Sequence, residues 1–166
     1  MRAGVAGLER FQARKPVPFV PSPMDVVERM LEIAGVEEGE RVYDLGCGDG
    51  RVLFTAASKY GAYGVGYEIR DGLVRYVRNR VHGLGLDNYI TVFRKDLAKA
   101  DLTGANVVTL YLTTPMLRTV SNKLYNALQS GARVVSHDYP IPGLEPTEIH
   151  RWRGRRIYLY TKARRL

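Results

Sequence analysis

Strand-like and helix-like segments alternate along most of this 166-residue chain. From residue 41 onward the sequence predicts seven short strands, most of them apolar, and amphipathic helices of ten or more residues separate the early ones. Nearly continuous apolar strands separated by helices are typical of a mainly parallel sheet covered on both faces. The predicted fold is therefore α/β, with a Rossmann-like, doubly wound, mainly parallel seven-stranded sheet. The last two strands, 148–153 and 155–162, predict a C-terminal antiparallel hairpin joined at Arg153 and Gly154.

The length predicts one domain, because 166 residues with 45% hydrophobic content can bury a single core. Residues 1–15 have no sustained apolar period and predict a mobile N-terminal arm. The domain then spans 16–166, with a proline strap and a helix in 16–40 and the Rossmann-like core in 41–166. Four prolines within KPVPFVPSP predict an extended path, and Ser22 is expected to cap the helix that follows. Spacing alone leaves open whether this strap is a linker or a cover for a site.

Several classes of protein are disfavoured by composition. The chain lacks an apolar run of eighteen residues and an N-terminal signal-peptide pattern, which predicts a cytoplasmic protein without a membrane span. The single cysteine, Cys47, cannot form an internal disulfide, and three histidines at scattered positions do not have metal-ligand spacing. No metal is therefore expected.

Positive charge is concentrated at the C-terminus. The formal net charge is +8, and residues 151–166 contain seven arginines and lysines but no acidic residue, which leaves only +1 for the rest of the chain. Such a segment is either a solvated terminal strand and tail or a docking patch for RNA or an acidic protein. Both interpretations remain open at the level of sequence.

A glycine-rich turn follows the first predicted strand. In VYDLGCGDGR, residues 42–51, Gly46, Gly48 and Gly50 lie between a strand and a helix. Glycines at such a turn adopt positive φ and let a ligand approach the backbone, while the helix N-terminus offers unpaired N–H donors. The turn therefore predicts a nucleotide-like ligand. A dinucleotide is less consistent, because its fingerprint needs a small residue where Arg51 stands.

Carboxylates near this turn narrow the choice of ligand. Asp44 and Asp49 would repel a pyrophosphate, but they suit a ligand that carries an ammonium and a sulfonium, as S-adenosylmethionine does. Glu68 ends the second strand, where a carboxylate can accept hydrogen bonds from both ribose hydroxyls. Asp96 ends the third predicted strand and can accept from an adenine amine. Together with the glycine turn, these positions predict an S-adenosylmethionine site.

The sequence resembles a known enzyme family from about Pro18 to its end. The motifs that carry the resemblance are FVPSPMDVVERML, VYDLGCGDGR, GVGYEI, NVVTLYL and ARVVSHDYPIPG. They resemble the seven-stranded S-adenosylmethionine-dependent methyltransferases, and within them the small protein-lysine methyltransferases of archaea and the mitochondrial relatives that modify the ATP synthase c subunit. The glycine motif is widespread among methyltransferases, whereas the proline strap and SHDYPIPG narrow the resemblance to lysine methylation.

The resemblance implies roles for individual residues. Asp44 and the glycine turn line the methionine end of the cofactor, Glu68 binds the ribose, Asp96 lies near the adenine, and the strap closes over them. With Cys47 as small packing in the turn, the expected cofactor-binding residues are Phe19, Pro21, Asp44, Gly46, Cys47, Gly48, Gly50, Glu68 and Asp96.

The acceptor side is predicted from aromatic residues and one histidine. The fourth predicted strand is ANVVTLYL, residues 105–112, and by the same resemblance Tyr111 and Leu112 at its end face the transferring methyl group. Tyr111, Tyr139 and Phe19 are candidates for an aromatic channel around a lysine stem, and cation–π attraction would tolerate a methylated ammonium there. His137 is a candidate proton acceptor. Packing at the edge of the core is the alternative role for the aromatic residues, and a structural hydrogen bond is the alternative for His137.

These observations predict an enzyme that methylates exposed lysines of protein substrates. The chain lacks the (D/N)PP(Y/F) tetrapeptide of base-amine methyltransferases and reads YLTTP instead. Two alternatives remain. One is an RNA methyltransferase guided by the basic C-terminus, and the other is a non-catalytic cofactor-binding subunit that activates another chain.

Overall fold

The structure is a computed structural model that describes residues 19–166. The predicted arm at 1–15 and the start of the strap at 16–18 lie outside the described residues. The described part contains four helices and seven strands: α1 (Met24–Ala34), β1 (Arg41–Leu45), α2 (Arg51–Tyr60), β2 (Tyr63–Glu68), α3 (Asp71–Gly83), β3 (Ile90–Arg94), β4 (Val107–Leu110), α4 (Thr114–Gln129), β5 (Arg133–His137), β6 (Glu148–Trp152) and β7 (Arg155–Tyr160). None of the helices in this part is long and apolar enough to cross a membrane.

All seven strands form one sheet in the order β3-β2-β1-β4-β5-β7-β6. The pairs from β3 to β5 are parallel, whereas β7 is antiparallel to both β5 and β6. The predicted Rossmann-like fold is therefore confirmed. The direction of winding reverses at β1, which lies between β2 and β4, and the carboxyl ends of strands at such a switch point form the usual ligand crevice of an open α/β sheet.

Alternation of side chains along the strands builds a core on each face of the sheet. Val42 and Val107 pack with α1 and α2, whereas their neighbours Tyr43 and Val108 pack with α4. Because both faces are covered, the central strands can be apolar at nearly every position, as the sequence predicted. Full burial of one such aliphatic side chain contributes roughly 1.5–3 kcal/mol.

The C-terminal hairpin has the predicted two-residue turn. Arg153 (φ 47°) and Gly154 (φ 76°) connect Trp152 to Arg155, which are paired across the two strands. Positive φ at both central residues is typical of the type I′ turn, whose twist matches that of the flanking strands. The hairpin fixes which side chains of β6 and β7 share a face.

Two local predictions need correction. Ser22 does not cap α1, because its buried hydroxyl instead lies 2.8 Å from the Nδ1 atom of His137, and Pro23 occupies the cap position. A buried imidazole needs a hydrogen-bond partner, and the Ser22 hydroxyl supplies it instead of capping the helix. In addition, β4 ends at Leu110, so Tyr111 and Leu112 lie in the loop after the strand rather than within it.

Candidate active site

A pocket of about 270 Å³ opens at the carboxyl ends of β1, β2 and β4. Gly46 and Cys47 line it from the turn after β1, Glu68 from the end of β2, and Tyr111 and Leu112 from the loop after β4. Residues 19–22 of the strap complete the lining, so the strap is part of the pocket and not only a linker. The position agrees with the switch point at β1.

The glycine turn needs glycine for two separate reasons. Gly46, Gly48 and Gly50 have φ values of 75°, 56° and 79°, in the left-handed region that side chains with a Cβ rarely adopt. At Gly48 there is also no room, because a Cβ atom there would lie 2.2 Å from Cε2 of Phe19. The strap ring therefore rests directly on the turn. Gly48 and Gly50 shape the pocket without being part of its lining.

Glu68 is the most buried carboxylate of the site, with 2% of its surface exposed. Its Oε1 atom accepts a hydrogen bond from the Gly48 N–H at 3.2 Å, and its Oε2 atom accepts one from the Arg70 N–H at 2.9 Å. The Arg70 guanidinium lies 3.5 Å away and balances the charge. These contacts hold the carboxylate rigidly, and each oxygen keeps a second lone-pair direction for hydroxyl donors.

Asp44 is buried as well, but no cation pairs with it among the described residues. Its Oδ1 atom accepts a hydrogen bond from the Thr109 hydroxyl at 2.7 Å. Burial raises the pKa of Asp44 to about 7; the Thr109 bond opposes this rise, and the negative charges of Glu68 and Asp49 add to it. A carboxylate held in this way favours a cationic ligand, whose charge would stabilise the ionised form.

Asp49 already has a cation of its own. Arg51 donates to both of its oxygens, at 2.6 Å in the shortest contact, and this bond is the main reason why the pKa of Asp49 is lowered. The same guanidinium donates to the Ser22 carbonyl at 2.9 Å. Arg51 therefore links the strap to the glycine turn, and of the two aspartates beside the turn only Asp44 is left without a cation in the described structure.

Cys47 and Asp96 differ in how far they approach the pocket. The Cys47 sulfur packs on Gly66, where an added Cβ would lie 2.6 Å away, and burial raises the pKa of the thiol. This fits the packing role predicted for Cys47. Asp96 is exposed, accepts a hydrogen bond from the Ala98 N–H at 2.9 Å and does not line the pocket. The structure therefore does not bring Asp96 to the other predicted site residues.

Aromatic side chains form another part of the wall of the pocket. Tyr111 and Tyr139 line it with their ring centroids 6.4 Å apart and their planes inclined by 22°. Leu112 adds an aliphatic contact beside them. This wall has the composition predicted for a channel around an alkyl stem with a cationic end.

His137 lies behind this wall and does not line the pocket. None of its surface is exposed, and its ring stacks on Tyr111 with centroids 3.9 Å apart. The Nδ1 atom contacts Ser22, whereas the Nε2 atom has no hydrogen-bond partner, although Asp138 Oδ2 is 3.4 Å away. Burial lowers its pKa to about 4; Asp138 opposes this shift and Arg155 adds to it. The imidazole is therefore neutral at pH 7, and it packs against Tyr111 without lining the pocket.

Asp138, the residue after His137, has an uncommon backbone conformation. It has a φ of 62°, which is uncommon for a residue other than glycine. Its Oδ2 atom accepts from the Arg155 guanidinium at 2.7 Å, and its Oδ1 atom accepts from the Arg156 N–H at 3.1 Å. Non-glycine residues in this region of φ persist where several contacts determine them and are concentrated at functional sites.

Comparison with known proteins identifies the family. Residues 44–148 match the ANTKMT methyltransferase domain. The chain is also 40% identical over 134 residues to a protein-lysine N-methyltransferase of Saccharolobus islandicus, an alignment that covers 80% of this chain and 83% of the relative. The chain belongs to this methyltransferase family. It is 33% identical to the mouse adenine nucleotide translocase lysine N-methyltransferase over 86% of its own length, although it spans only 62% of that protein.

Solved structures agree with this membership. The methyltransferase resembles the crystal structure of an RNA methyltransferase from Salinibacter ruber in complex with S-adenosyl-L-homocysteine, with a TM-score of 0.80, 39% identity, and coverage of 85% of this chain and 92% of the other. A geranyl diphosphate methyltransferase in complex with S-adenosylmethionine shares the fold at 18% identity and a TM-score of 0.62, over 69% of this chain and 48% of the other. The predicted fold, enzyme class and cofactor, S-adenosylmethionine, are thereby confirmed.

Proposed function

We propose that this enzyme transfers the methyl group of S-adenosylmethionine to lysine side chains of proteins. The observation that carries the proposal is the division of one pocket into two chemically different walls. One wall holds the buried carboxylates of Asp44 and Glu68, and the other presents Tyr111 and Tyr139. The first wall suits the cofactor, and the second suits the stem and amine of a lysine.

The residues present fit this cofactor. Among residues 19–166, Glu68 and Asp49 have arginine partners, whereas Asp44 has only a hydroxyl, so no positive charge from this part of the chain balances Asp44. We assign the cofactor ammonium to Asp44 and the ribose hydroxyls to Glu68, with Phe19 and Pro21 as a cover. Bound S-adenosylmethionine supplies a methyl group activated by its sulfonium, whose sulfur leaves with the bonding electron pair.

The acceptor amine must be neutral when it attacks. An unperturbed lysine has a pKa of about 10.4, so neutralising it at pH 7 requires roughly 4.6 kcal/mol. We assign Tyr111, Leu112 and Tyr139 to the lysine stem, where they align the amine and exclude water around it. His137 is assigned to positioning Tyr111. Because its neutral ring is buried behind that tyrosine, the proton leaves to solvent in this proposal and not to His137.

The domain organisation is part of the same proposal, whereas the location of the protein does not follow from it. The strap, of which residues 19–23 are described, belongs to the catalytic domain because it lines the pocket and bonds to His137. The arm at 1–15 is assigned no catalytic role. A cytoplasmic location remains a prediction from the sequence, and an archaeal origin is only what the resemblance to small archaeal methyltransferases implies.

The proposal is tested by incubating the purified enzyme with a lysate and isotopically labelled cofactor, followed by mass spectrometry of modified sites. We expect label on lysine Nζ atoms of proteins and no loss of label after ribonuclease treatment. Label in nucleic acid would instead support an RNA methyltransferase, the activity named for the Salinibacter relative. Transfer that requires an added partner chain would support the activator subunit.

A further inference from the structure

Some residues of the basic C-terminal segment have a partner for their side chain, whereas others, including Lys162 and Arg164 beyond β7, have no ion pair in residues 19–166. Arg155 pairs with Asp138, Arg153 pairs with Asp25, and the Arg165 guanidinium lies over the ring of Tyr125 at 4.0 Å. Arg151 and Arg156 are exposed, and neither pairs with a carboxylate anywhere in residues 19–166. These two are defined here as the arginine pair.

The register of the hairpin places the arginine pair directly opposite each other. Arg151 of β6 is the cross-strand partner of Arg156 of β7. Like charges directly opposite on an antiparallel pair destabilise it, so this arrangement is unfavourable unless an anion lies between them. Ile149 shares this face of β6 with Arg151 and is 58% exposed. The face therefore combines two unpaired positive charges with an aliphatic side chain.

This face adjoins the acceptor end of the pocket. The Asp138 N–H donates to the Arg156 carbonyl at 2.7 Å, and the Asp138 carboxylate accepts from the Arg156 N–H. The next residue, Tyr139, lines the pocket. A segment that enters the pocket from this side therefore reaches the arginine pair within a few residues of the methylated position.

We propose that the arginine pair docks an acidic, extended segment of the substrate protein next to the target lysine. The inference rests on the proposed lysine methylation and adds a substrate class to it. Two arginines suit carboxylates, and β6 is the edge strand of the sheet, where an extended segment can lie alongside.

In the described part of the chain, the hairpin face that carries the arginine pair offers no exposed ring on which RNA bases could stack, because Tyr158, which lies opposite Ile149, is buried. Single-stranded RNA binds through basic grooves with aromatic rings on which bases stack. The aromatic residue of β6, Trp152, alternates to the opposite face of the hairpin, where Arg29 and Arg153 lie 4.9 Å and 5.2 Å from its ring centroid. The aliphatic Ile149 is the apolar residue that accompanies the arginine pair on β6. The observations therefore favour an acidic peptide.

The test compares two short peptides that share one central lysine, flanked by Asp and Glu in one and by Ser and Gln in the other. The enzyme is expected to prefer the acidic peptide in kcat/KM by about fivefold, which corresponds to two exposed ion pairs of ~0.5 kcal/mol each. In the double variant R151E/R156E the preference should reverse. The control K162E/R164E makes the same charge change beyond the other end of β7, near the start of β5, and should keep the preference.

The possible results separate failure of the docking surface from failure of the proposed function. Equal use of both peptides by the wild type, or the same loss of preference in the control variant, would overturn the docking surface while lysine methylation stands. Methylation of whole proteins but of neither peptide would do the same, since the proposal requires only a flanking segment. A lysate without any methylated lysine would overturn the proposed function itself. Ribonuclease-sensitive label that disappears in R151E/R156E would assign the arginine pair to RNA.

Discussion

At the scale of single residues, the two buried carboxylates of the pocket differ in what balances them. Glu68 has the Arg70 guanidinium at 3.5 Å, whereas Asp44 has the Thr109 hydroxyl. Burial raises the pKa of Asp44 to about 7, so in the free enzyme this group is close to half protonated at neutral pH. Binding of an ammonium requires the ionised form, and cofactor affinity should therefore depend on pH.

We expect cofactor affinity to fall by about tenfold per pH unit below 7, because a proton must leave Asp44 when the ammonium binds. Calorimetry between pH 5.5 and 7.5 checks this, a range in which an α-amino group of pKa about 7.7–8.0 stays largely charged. Two buffers with different ionisation enthalpies should report the released proton. The Asp44→Asn variant should bind weakly at every pH. A wild-type affinity that is constant over this range would contradict the assignment.

The same shift makes a prediction about stability. The folded-state pKa of Asp44 lies above its unfolded value of 3.8, so its favourable contribution is complete below about pH 4 and is lost as pH rises through 7. The unfolding free energy of Asp44→Asn, relative to wild type, should therefore increase between pH 5 and 8. Denaturant titration measures it, and a difference that does not change with pH would count against the raised pKa.

Gly48 tests the contact between the strap and the turn. In Gly48→Ala the new Cβ would overlap the Phe19 ring, so we expect the strap to be displaced and cofactor affinity to fall at least tenfold. Gly35→Ala is the matched control, since its φ of 65° is similar but its Cβ would meet no atom of residues 19–166 within 4 Å. Equal loss of affinity in both variants would assign the effect to backbone strain alone.

The spacing of the motifs predicted Asp44 and Glu68 as candidate site residues, but it did not predict the residues that hydrogen-bond or form ion pairs with them. Thr109 reaches Asp44 only because β4 pairs beside β1 in a register that aligns these two residues. The sequence identified Arg51 as the residue that departs from the dinucleotide fingerprint. Its hydrogen bonds to Asp49 and to the strap depend on how the strap lies against the glycine turn. Pairing between distant segments has no local sequence signal.

At the scale of elements, the strap is held by side chains from several parts of the chain. Phe19 rests on Gly48, the Ser22 carbonyl accepts from Arg51, and the Ser22 hydroxyl contacts His137 at the end of β5. Proline spacing predicted an extended path but not its position, because prolines restrict φ without selecting a neighbour. The apolar pattern also predicted a β4 that is too long. Tyr111 and Leu112 continue the apolar run, but they line the pocket after the strand has ended at Leu110.

Removal of the Ser22 hydroxyl should loosen the strap. In Ser22→Ala, the His137 Nδ1 atom would be buried without a partner, a loss of roughly 1–3 kcal/mol. We expect a lower melting temperature and a raised KM for the cofactor. Ser22→Thr, which keeps a hydroxyl, should restore both. An unchanged KM in a destabilised Ser22→Ala enzyme would mean that the bond serves only the fold.

Truncation separates the strap from the arm. Deletion of residues 1–15 should leave activity largely intact, because in our proposal the strap, and not the arm, covers the pocket. Deletion through Pro23 should abolish activity while the core still unfolds cooperatively, because it removes the cover of the pocket. Circular dichroism establishes that both proteins are folded, and methyl transfer is then measured. Equal activity of the two truncations would show that the strap is dispensable.

At the scale of the whole molecule, the alternation of strands and helices predicted the layers of the fold and the position of its crevice. The insertion of β7 between β5 and β6 was not predicted, because a hairpin signal gives the pairing of two strands but not which of them joins the sheet. This insertion brings Arg155 to Asp138 and the arginine pair to the pocket edge. The proposed docking of an acidic segment therefore depends on an element whose placement only the complete sheet determines.

The pH dependence of turnover tests the complete pocket. Below the effective pKa of the lysine amine, each pH unit removes a factor of ten from its reactive neutral form. His137, with a pKa of about 4, and Asp44, with a pKa of about 7, are both deprotonated above pH 8, so neither produces a slope there. At saturating cofactor the initial rate on an intact protein substrate should therefore rise between pH 8 and 10. The rise ends in a plateau at the effective pKa of the amine, which burial and the sulfonium lower. Stability is checked at each pH, and a flat profile in a folded enzyme would remove a titrating lysine as the acceptor.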